Sequence, residues 1–318
     1  MPCLSKNGIY VGDSLALLER LADDSVDLIV TSPPYEDART YGIDCKLKGE
    51  EWVDWALVRY LECVRVCRGL VVWVVEGRTR QFRWSATPAL LMADLHRAGV
   101  KLRKPPVYYR SGIPGSGGPD WLRNDWEFCI CSSKGRLPWS DSTAMGEPPK
   151  WNPGGPPTHR KKNGDRVNVV SAKEVKDSVE PKVAAAMAGE IAGKLHTKSD
   201  GDKMRVQCYT PPEIANPGNI IRCTVGKGRM GHDLYHENEA PYPEYLPEFF
   251  IRSFCPPDGL VLDPFCGSGT TLCVAKALGR SYIGFDVRQS QKELSEKRLA
   301  DPTYQDWPKS LHKEGENG

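Results

Sequence analysis

Along the chain, short apolar runs alternate with longer segments whose apolar positions recur every three to four residues, the pattern of strands followed by helices. Gly8 to Asp13 ("GIYVGD") reads as a strand, and Ser14 as the cap of a helix through Leu15, Leu17, Leu18 and Leu21. Asp27 to Thr31 follows as a strand in which Leu28, Ile29 and Val30 are consecutive rather than alternating, so both faces are buried, as in a parallel sheet. Polar residues at Glu51, Asp54, Arg59, Glu62 and Arg65 on an otherwise apolar segment predict a mostly buried helix from Glu51 to Arg68. "LVVWVVEG" from Leu70 is the next strand and Ser85 to Ala98 the next helix, with further strands near Val107 and at "EFCICS". Later in the chain, Leu260 to Asp263 is a strand, Phe265 to Gly269 a glycine loop, Thr270 to Leu278 a helix closed by Gly279, and Ser281 to Asp286 a strand. Repeated strand-helix units of this length predict a doubly wound α/β sheet.

From Leu137 to about Gly218 that periodicity is lost. The segment is rich in Pro and Gly, and a helix around Val183 to Lys194 is the one regular element expected there. Charge changes the picture here: residues 140–230 hold 15 Lys plus Arg against 10 Asp plus Glu, the remainder 28 against 31, so a net charge of +2 conceals a basic segment of +5. Such a segment is either a solvated insertion or a nucleic-acid-facing region whose cations displace counterions from phosphates. Arg160, Lys161 and Lys162 in "THRKKNGDR" are the residues expected against DNA phosphates. The expected boundaries are 1–136, 137–218, 219–302 and a tail at 303–318.

With 318 residues and 40% apolar content, the chain can bury a large core and is read as one catalytic domain with an insertion. It has no basic segment leading into an apolar signal, and its longest aliphatic run, near Leu70, is too short to cross a bilayer. A soluble cytoplasmic protein without a membrane partner is therefore expected. The 11 cysteines are scattered, with no Cys-x-x-Cys and no matching His pair, which argues against a zinc site. Cys63 and Cys67, one helical turn apart, read as packed thiols, and no metal is expected.

Two stretches carry chemistry. An acidic residue ending the strand that follows a strand, glycine loop and helix is the arrangement that grips a nucleoside: loop amides face the ligand and the carboxylate, here Asp286, takes the ribose hydroxyls. After Gly267 and Gly269 the third fingerprint position is Leu272, not Gly, and no Gly-Lys-Ser/Thr follows, so nicotinamide and triphosphate sites are disfavoured. "GKGRMG" at Gly226 to Gly231 has the literal glycine spacing, but proline-broken polar sequence follows it, so it reads as a turn or a phosphate-contacting loop. The second stretch is "DLIVTSPPYED", where a buried strand ends in two prolines. They fix φ, lack N–H donors and leave a stiff segment whose carbonyls have no local partners.

"DPFCGSGTT" with "GFD" resembles the S-adenosylmethionine motif of amino-methylating DNA methyltransferases, and "TSPPY" resembles their catalytic motif. The order, catalytic motif first and cofactor motif last around a variable region, is similar to the beta group of that family, and "HENEAPYPEYLPEFFI" resembles the segment before its cofactor loop. The resemblance covers roughly residues 7–135 and 219–300. It implies a circularly permuted, Rossmann-like, S-adenosylmethionine-dependent methyltransferase fold with an irregular target-recognition insertion. It also implies double-stranded DNA as substrate, a monomer or dimer, and a cognate restriction endonuclease as a candidate partner. By the same resemblance Asp263 meets the methionine amino group, Phe265 packs near the cofactor, Gly267, Ser268, Gly269 and Thr270 line its loop, Asp286 holds the ribose, and Asp13 approaches the adenine. Family order also sets the Leu260 strand beside the Leu28 strand, so that Thr31 and Asp263 end together and cofactor and target share one cleft.

Within that cleft Ser32, Pro33, Pro34 and Tyr35 are the expected catalytic residues. An exocyclic amine conjugated to a ring is a poor nucleophile; the Ser32 hydroxyl and Pro33 carbonyl, held by the stiff Pro-Pro pair, are acceptors that can orient its hydrogens. Tyr35 offers an aromatic face to a base swung out of the duplex. Family enzymes acting on adenine N6 usually carry Asp or Asn before Pro-Pro-Tyr, those acting on cytosine N4 usually Ser, so Ser32 favours cytosine, with adenine the alternative. Carbon-5 methylation needs a Cys nucleophile after a proline, but position 34 is Pro and Cys266 belongs to the cofactor loop. A binding protein that has lost catalysis, or a methyltransferase of small molecules or proteins, is the reading from another class.

Overall fold

The structure, a computed structural model, describes residues 4–37, 46–111, 120–149, 158–160, 166–168, 195–197, 203–205, 212–225, 234 and 241–301. The chain divides into two compact units, one made of Met1–Ala144 with Gly218–Gly318, the other of Met145–Pro217. In chain order the first unit contains β1 (Gly8–Val11), α1 (Ser14–Leu18), β2 (Val26–Thr31), α2 (Glu50–Val66), β3 (Cys67–Val75), β4 (Thr79–Arg80), β5 (Arg83–Trp84), α3 (Thr87–Arg97), β6 (Val107–Ser111) and β7 (Trp126–Ser132). The second unit contributes two antiparallel pairs, β8 (Thr158–Arg160) with β9 (Arg166–Asn168) and β10 (Leu195–Thr197) with β11 (Lys203–Arg205). The first unit resumes with β12 (Ile220–Thr224), α4 (Tyr245–Phe254), β13 (Leu260–Asp263), α5 (Thr270–Ala277), β14 (Ser281–Asp286) and α6 (Gln289–Ala300).

Among the described residues, eight strands of the first unit form one mixed sheet in the order β1-β14-β13-β2-β3-β7-β6-β12. β1, β14, β13, β2 and β3 run parallel, and β7 lies antiparallel to both its neighbours. From β2 the chain moves through α2 to β3 on one side, whereas from β13 it moves through α5 to β14 on the other. Right-handed crossovers running in opposite directions place their helices on opposite faces. Accordingly α2 packs against both α1 and α3, and α5 packs against both α4 and α6. The winding reverses between β13 and β2, and that is where a cleft opens at the carboxyl ends of the strands.

The consecutive apolar residues of β2 explain its central position. Leu28, Ile29 and Val30 are wholly buried, a burial worth roughly 1.5–3 kcal/mol for each side chain. Asp27 aligns three strands: one oxygen pairs with Arg68 at the start of β3, at 2.7 Å, and the other accepts the Leu260 N–H of β13 at 2.9 Å. The expected helix to Arg68 stops at Val66, because β3 begins at Cys67 and runs against β2 at once. At Gly69 a Cβ would stand 1.9 Å from the Asp27 carbonyl oxygen, so only glycine permits that approach. The cap of α1 is Asp13 rather than the expected Ser14; the Asp13 carboxylate accepts the N–H groups of Leu15 and Ala16, while Ser14 is buried as the first helical residue.

The core combines Trp52 and Tyr60 of α2 with Trp73 of β3 and the apolar faces of β2, β13 and β14. Cys63 and Cys67 are both buried there, free of disulfides. Among the described residues no helix is long and apolar enough to cross a membrane. Lys161, Lys162, the helix expected at Val183 to Lys194, the "GKGRMG" turn and the tail at 303–318 lie outside the described residues; Arg160 is described only as backbone of β8.

Candidate active site

The loop between β13 and α5 is shaped by backbone constraints. Gly267 and Gly269 have φ of +48° and +80°, and a Cβ at Gly269 would meet Ser295 Oγ at 2.8 Å. The Cys266 N–H reaches the Phe285 carbonyl at 2.8 Å, and the Gly267 N–H donates to Asp286 Oδ2 at 3.1 Å, so the loop is pinned to the end of β14. From α6, Ser295 Oγ donates to the Gly267 carbonyl at 2.8 Å, and Arg298 Nη1 donates to the carbonyl and hydroxyl of Ser268 and to Thr270 Oγ1. Arg298 also pairs with Glu244 at 3.2 Å; the two side chains are 0% and 1% exposed.

The catalytic-motif segment leaves β2 immediately beside this loop. Thr31 Oγ1 donates to Asp263 Oδ1 at 2.5 Å, across 232 residues of sequence. Asp263 also accepts the Phe265 N–H at 3.1 Å and the Tyr242 hydroxyl at 3.3 Å, and Tyr242 contacts Thr271 at 2.5 Å. Burial outweighs these donors and pushes the Asp263 carboxyl up to about 6. Beyond Thr31, the Pro34 carbonyl accepts the Trp52 Nε1–H at 2.9 Å, so α2 supplies the partner that the proline pair itself cannot. The Tyr35 hydroxyl donates to Glu127 Oε2 at 2.6 Å, and Arg110 holds the other Glu127 oxygen at 3.0 Å. Burial raises the Glu127 carboxyl above its ordinary range, against the lowering influence of Arg110 and Tyr35.

A cleft with about 830 Å³ of empty space, including space open to solvent, lies between these segments. Of the residues singled out from sequence, Asp13, Ser32, Pro34, Phe265, Gly267, Thr270 and Asp286 line it. Thr31, Pro33, Asp263 and Ser268 are buried, and neither they nor Tyr35 and Gly269 are among the residues that line it. Asp286 Oδ1 also accepts the Arg288 N–H at 2.8 Å. Asp13 does double duty: it caps α1 and pairs with Arg59 at 2.7 Å, and although burial raises its carboxyl, Arg59 and the two amides bring it below the ordinary value.

Sequence reasoning missed Trp55, Tyr242 and Arg288 on the cleft wall, and Glu127 and Arg298 behind it. Trp55 packs on Phe265 with ring centroids 5.7 Å apart, and Phe265 meets Trp73 edge-on at 5.5 Å. Nothing in the helical periodicity separates Trp55 from Trp52, which faces the core. Tyr242 stands in the segment before the cofactor-type loop, but its partner Asp263 becomes apparent only once strands are paired. Cys266 lines the cleft too; burial pushes its thiol well above its ordinary value, the reverse of what a thiolate nucleophile needs.

Comparison with known proteins gives a consistent result. The N6_N4_Mtase family model, described as DNA methylase, matches residues 26–297. The type II methyltransferase M.PvuII of Proteus hauseri is 26% identical over 93% of this chain and 84% of its own length. The DNA adenine methyltransferase YhdJ of Escherichia coli K12 is 24% identical over 92% of this chain and 82% of its own. Among solved structures, PvuII DNA methyltransferase (cytosine-N4-specific) aligns with a TM-score of 0.63 at 20% identity, covering 96% of this chain and 92% of that one. A Thermus thermophilus protein solved in complex with S-adenosyl-L-methionine aligns with a TM-score of 0.51 at 21% identity, covering 92% of this chain and 94% of that one. A cleft at the reversal of a doubly wound sheet, walled by the two motifs, and a family match over most of the chain point the same way: this chain belongs to the N6/N4 DNA methylase family.

Proposed function

We propose that the chain transfers a methyl group from S-adenosyl-L-methionine to the exocyclic N4 amine of a cytosine swung out of double-stranded DNA. The observation that carries this reading is the Thr31–Asp263 hydrogen bond, which joins the Ser32–Tyr35 segment to the cofactor-type loop at one cleft. The residues present fit the cofactor: aromatic walls at Phe265 and Trp55 suit an adenine ring and its sulfonium arm, Asp286 suits a ribose diol, and the Asp263 carboxyl, one residue before Pro264 on the cleft wall, suits a cationic amino group. A carboxylate has about four acceptor positions, so Asp286 can receive ribose hydroxyls beside the amides it already holds. When bound, S-adenosyl-L-methionine supplies a methyl group on a positively charged sulfur.

The chain's own residues then bind and orient the acceptor. Ser32 Oγ and the Pro33 carbonyl accept the two amine hydrogens, aiming the nitrogen lone pair at the methyl carbon, and the stiff Pro-Pro unit keeps them there during reaction. Tyr35, tethered by Glu127, offers its ring to the displaced base, an interaction worth roughly 1–3 kcal/mol. Serine before Pro-Pro-Tyr favours cytosine, in line with the cytosine-N4-specific relative. Adenine N6 is the second reading, favoured by the likeness to an adenine methyltransferase.

Incubating the protein with unmodified DNA and labelled S-adenosyl-L-methionine, then separating the digested nucleosides by mass spectrometry, should give N4-methylcytosine. N6-methyladenine would overturn the target base and keep the mechanism. Labelled 5-methylcytosine would overturn the mechanism, and no labelled nucleoside would overturn DNA as substrate.

A further inference from the structure

We propose that the β4–β5 hairpin is a second DNA-contacting element, with Phe82 as a wedge that enters a base step and Arg83 as a phosphate contact; this rests on the reading above of a methyltransferase that swings a base out of a duplex. The hairpin leaves the end of β3 at the same edge of the sheet where Ser32–Tyr35 leave the adjacent β2. Its base is built into the catalytic segment. The Arg78 N–H donates to Glu36 Oε1 at 2.8 Å, and both Arg78 and Arg80 pair with Asp37, so the two residues directly after Tyr35 hold the hairpin's first strand. On the second strand the Trp84 ring stacks on Phe128 at 6.2 Å and its Nε1–H donates to Glu76 at 3.0 Å.

The tip, by contrast, is bare. Gln81 and Phe82 have φ of +47° and +62°, the left-handed conformation that a two-residue turn of this kind demands and that Asn-Gly would adopt with less strain. Phe82 is 80% exposed. Arg80 and Arg83 stand directly opposite each other, an arrangement that is unfavourable for like charges unless something neutralises them. Asp37 does so for Arg80; among the described residues Arg83 has no carboxylate partner. A rigidly rooted hairpin that presents one large apolar ring beside an uncompensated guanidinium suits an anionic ligand with a slot for that ring. A duplex offers both, phosphate beside a base step, and proteins that deform DNA insert such side chains where bases are unstacked. Carried on a hairpin rooted in Glu36 and Asp37, the two residues after Tyr35, the ring can fill the gap that the displaced nucleotide leaves.

The test uses the whole protein and fragments of unmethylated genomic DNA. Arg83→Gln should weaken binding and reduce the slope of log affinity against log salt by about 0.9, independently of any methyl transfer. Phe82→Ala should lower turnover on the same double-stranded DNA at least tenfold with unchanged affinity for S-adenosyl-L-methionine, whereas Phe82→Leu, which keeps an apolar wedge, should stay within threefold of wild type. An unchanged salt slope in Arg83→Gln, or Phe82→Ala turnover within twofold of wild type, overturns the proposal. If the wild type binds DNA with an Arg83-dependent slope yet transfers no methyl group, the slope alone upholds the hairpin as a DNA contact and the proposed function fails instead.

Discussion

Asp263 is costly to ionise, because its burial is not fully offset by Thr31, Tyr242 and the Phe265 amide. A carboxyl whose folded-state value rises from 3.8 to about 6 binds its proton more tightly in the native than in the unfolded chain. Protonation therefore favours the fold, and stability falls as pH rises through the window between about 4 and about 6. Two pH units correspond to about 3 kcal/mol. Without cofactor, Asp263→Asn should be close to wild type in stability at pH 4.5 and more stable than it at pH 7, measured by denaturant unfolding at both values. A difference that does not change with pH would mean Asp263 titrates normally. Under the proposed function, a cationic amino group brought beside Asp263 would lower its carboxyl again and offset that cost.

At the scale of elements, the loop before α5 owes its shape to α6 as much as to its own glycines. Arg298 ties Ser268 and Thr270 to Glu244 just ahead of α4, inside the protein. Removing one member of a buried ion pair costs about 3–5 kcal/mol, because the other charge is left unpaired. Arg298→Met should cost about that much in denaturant unfolding, and adding Glu244→Leu should recover most of it. Calorimetry of the double variant should nonetheless show weaker S-adenosyl-L-methionine binding, since the loop is no longer clamped. Binding equal to wild type in the double variant would reduce the pair to a fold-stabilising contact. The Tyr35–Glu127–Arg110 chain is the equivalent on the other side of the switch point, where β6 and β7 fix the hydroxyl of a residue that follows β2.

For the whole molecule, the reversal of winding between β13 and β2 is what turns two distant motifs into one cleft. The basic bias of residues 140–230 overlaps the second unit, Met145–Pro217, so charge and compact organisation coincide in one segment. If that segment faces the substrate, neutralising Arg160, Lys161 and Lys162 together should weaken DNA binding and flatten its salt dependence by about 0.9 for each phosphate that is no longer neutralised, with affinity for S-adenosyl-L-methionine unchanged. Titration of genomic fragments at several salt concentrations checks this, and a slope equal to that of wild type would return the run to ordinary surface.

By itself the sequence determined the local elements and the candidate motifs. Continuous apolar runs marked β2 and β13 as buried strands, the helical period marked α2, and the glycines at 267 and 269 marked a loop that only they can shape, because these signals arise from backbone sterics and water exclusion within a few residues. The Pro-Pro-Tyr segment was equally legible, since proline acts on its immediate neighbours. The resemblance already set Thr31 beside Asp263, and the fold adds the hydrogen bond between them; what only the tertiary structure decided were the other partners: Trp52 for the Pro34 carbonyl, Glu127 for Tyr35 and Arg298 for the Ser268 loop. Each pairing spans strands or helices remote in sequence, and hydrogen-bond geometry depends on sheet order and register, which no local pattern encodes. The exposure of Phe82 belongs to the same class, because whether an apolar residue is covered depends on what the rest of the fold brings against it.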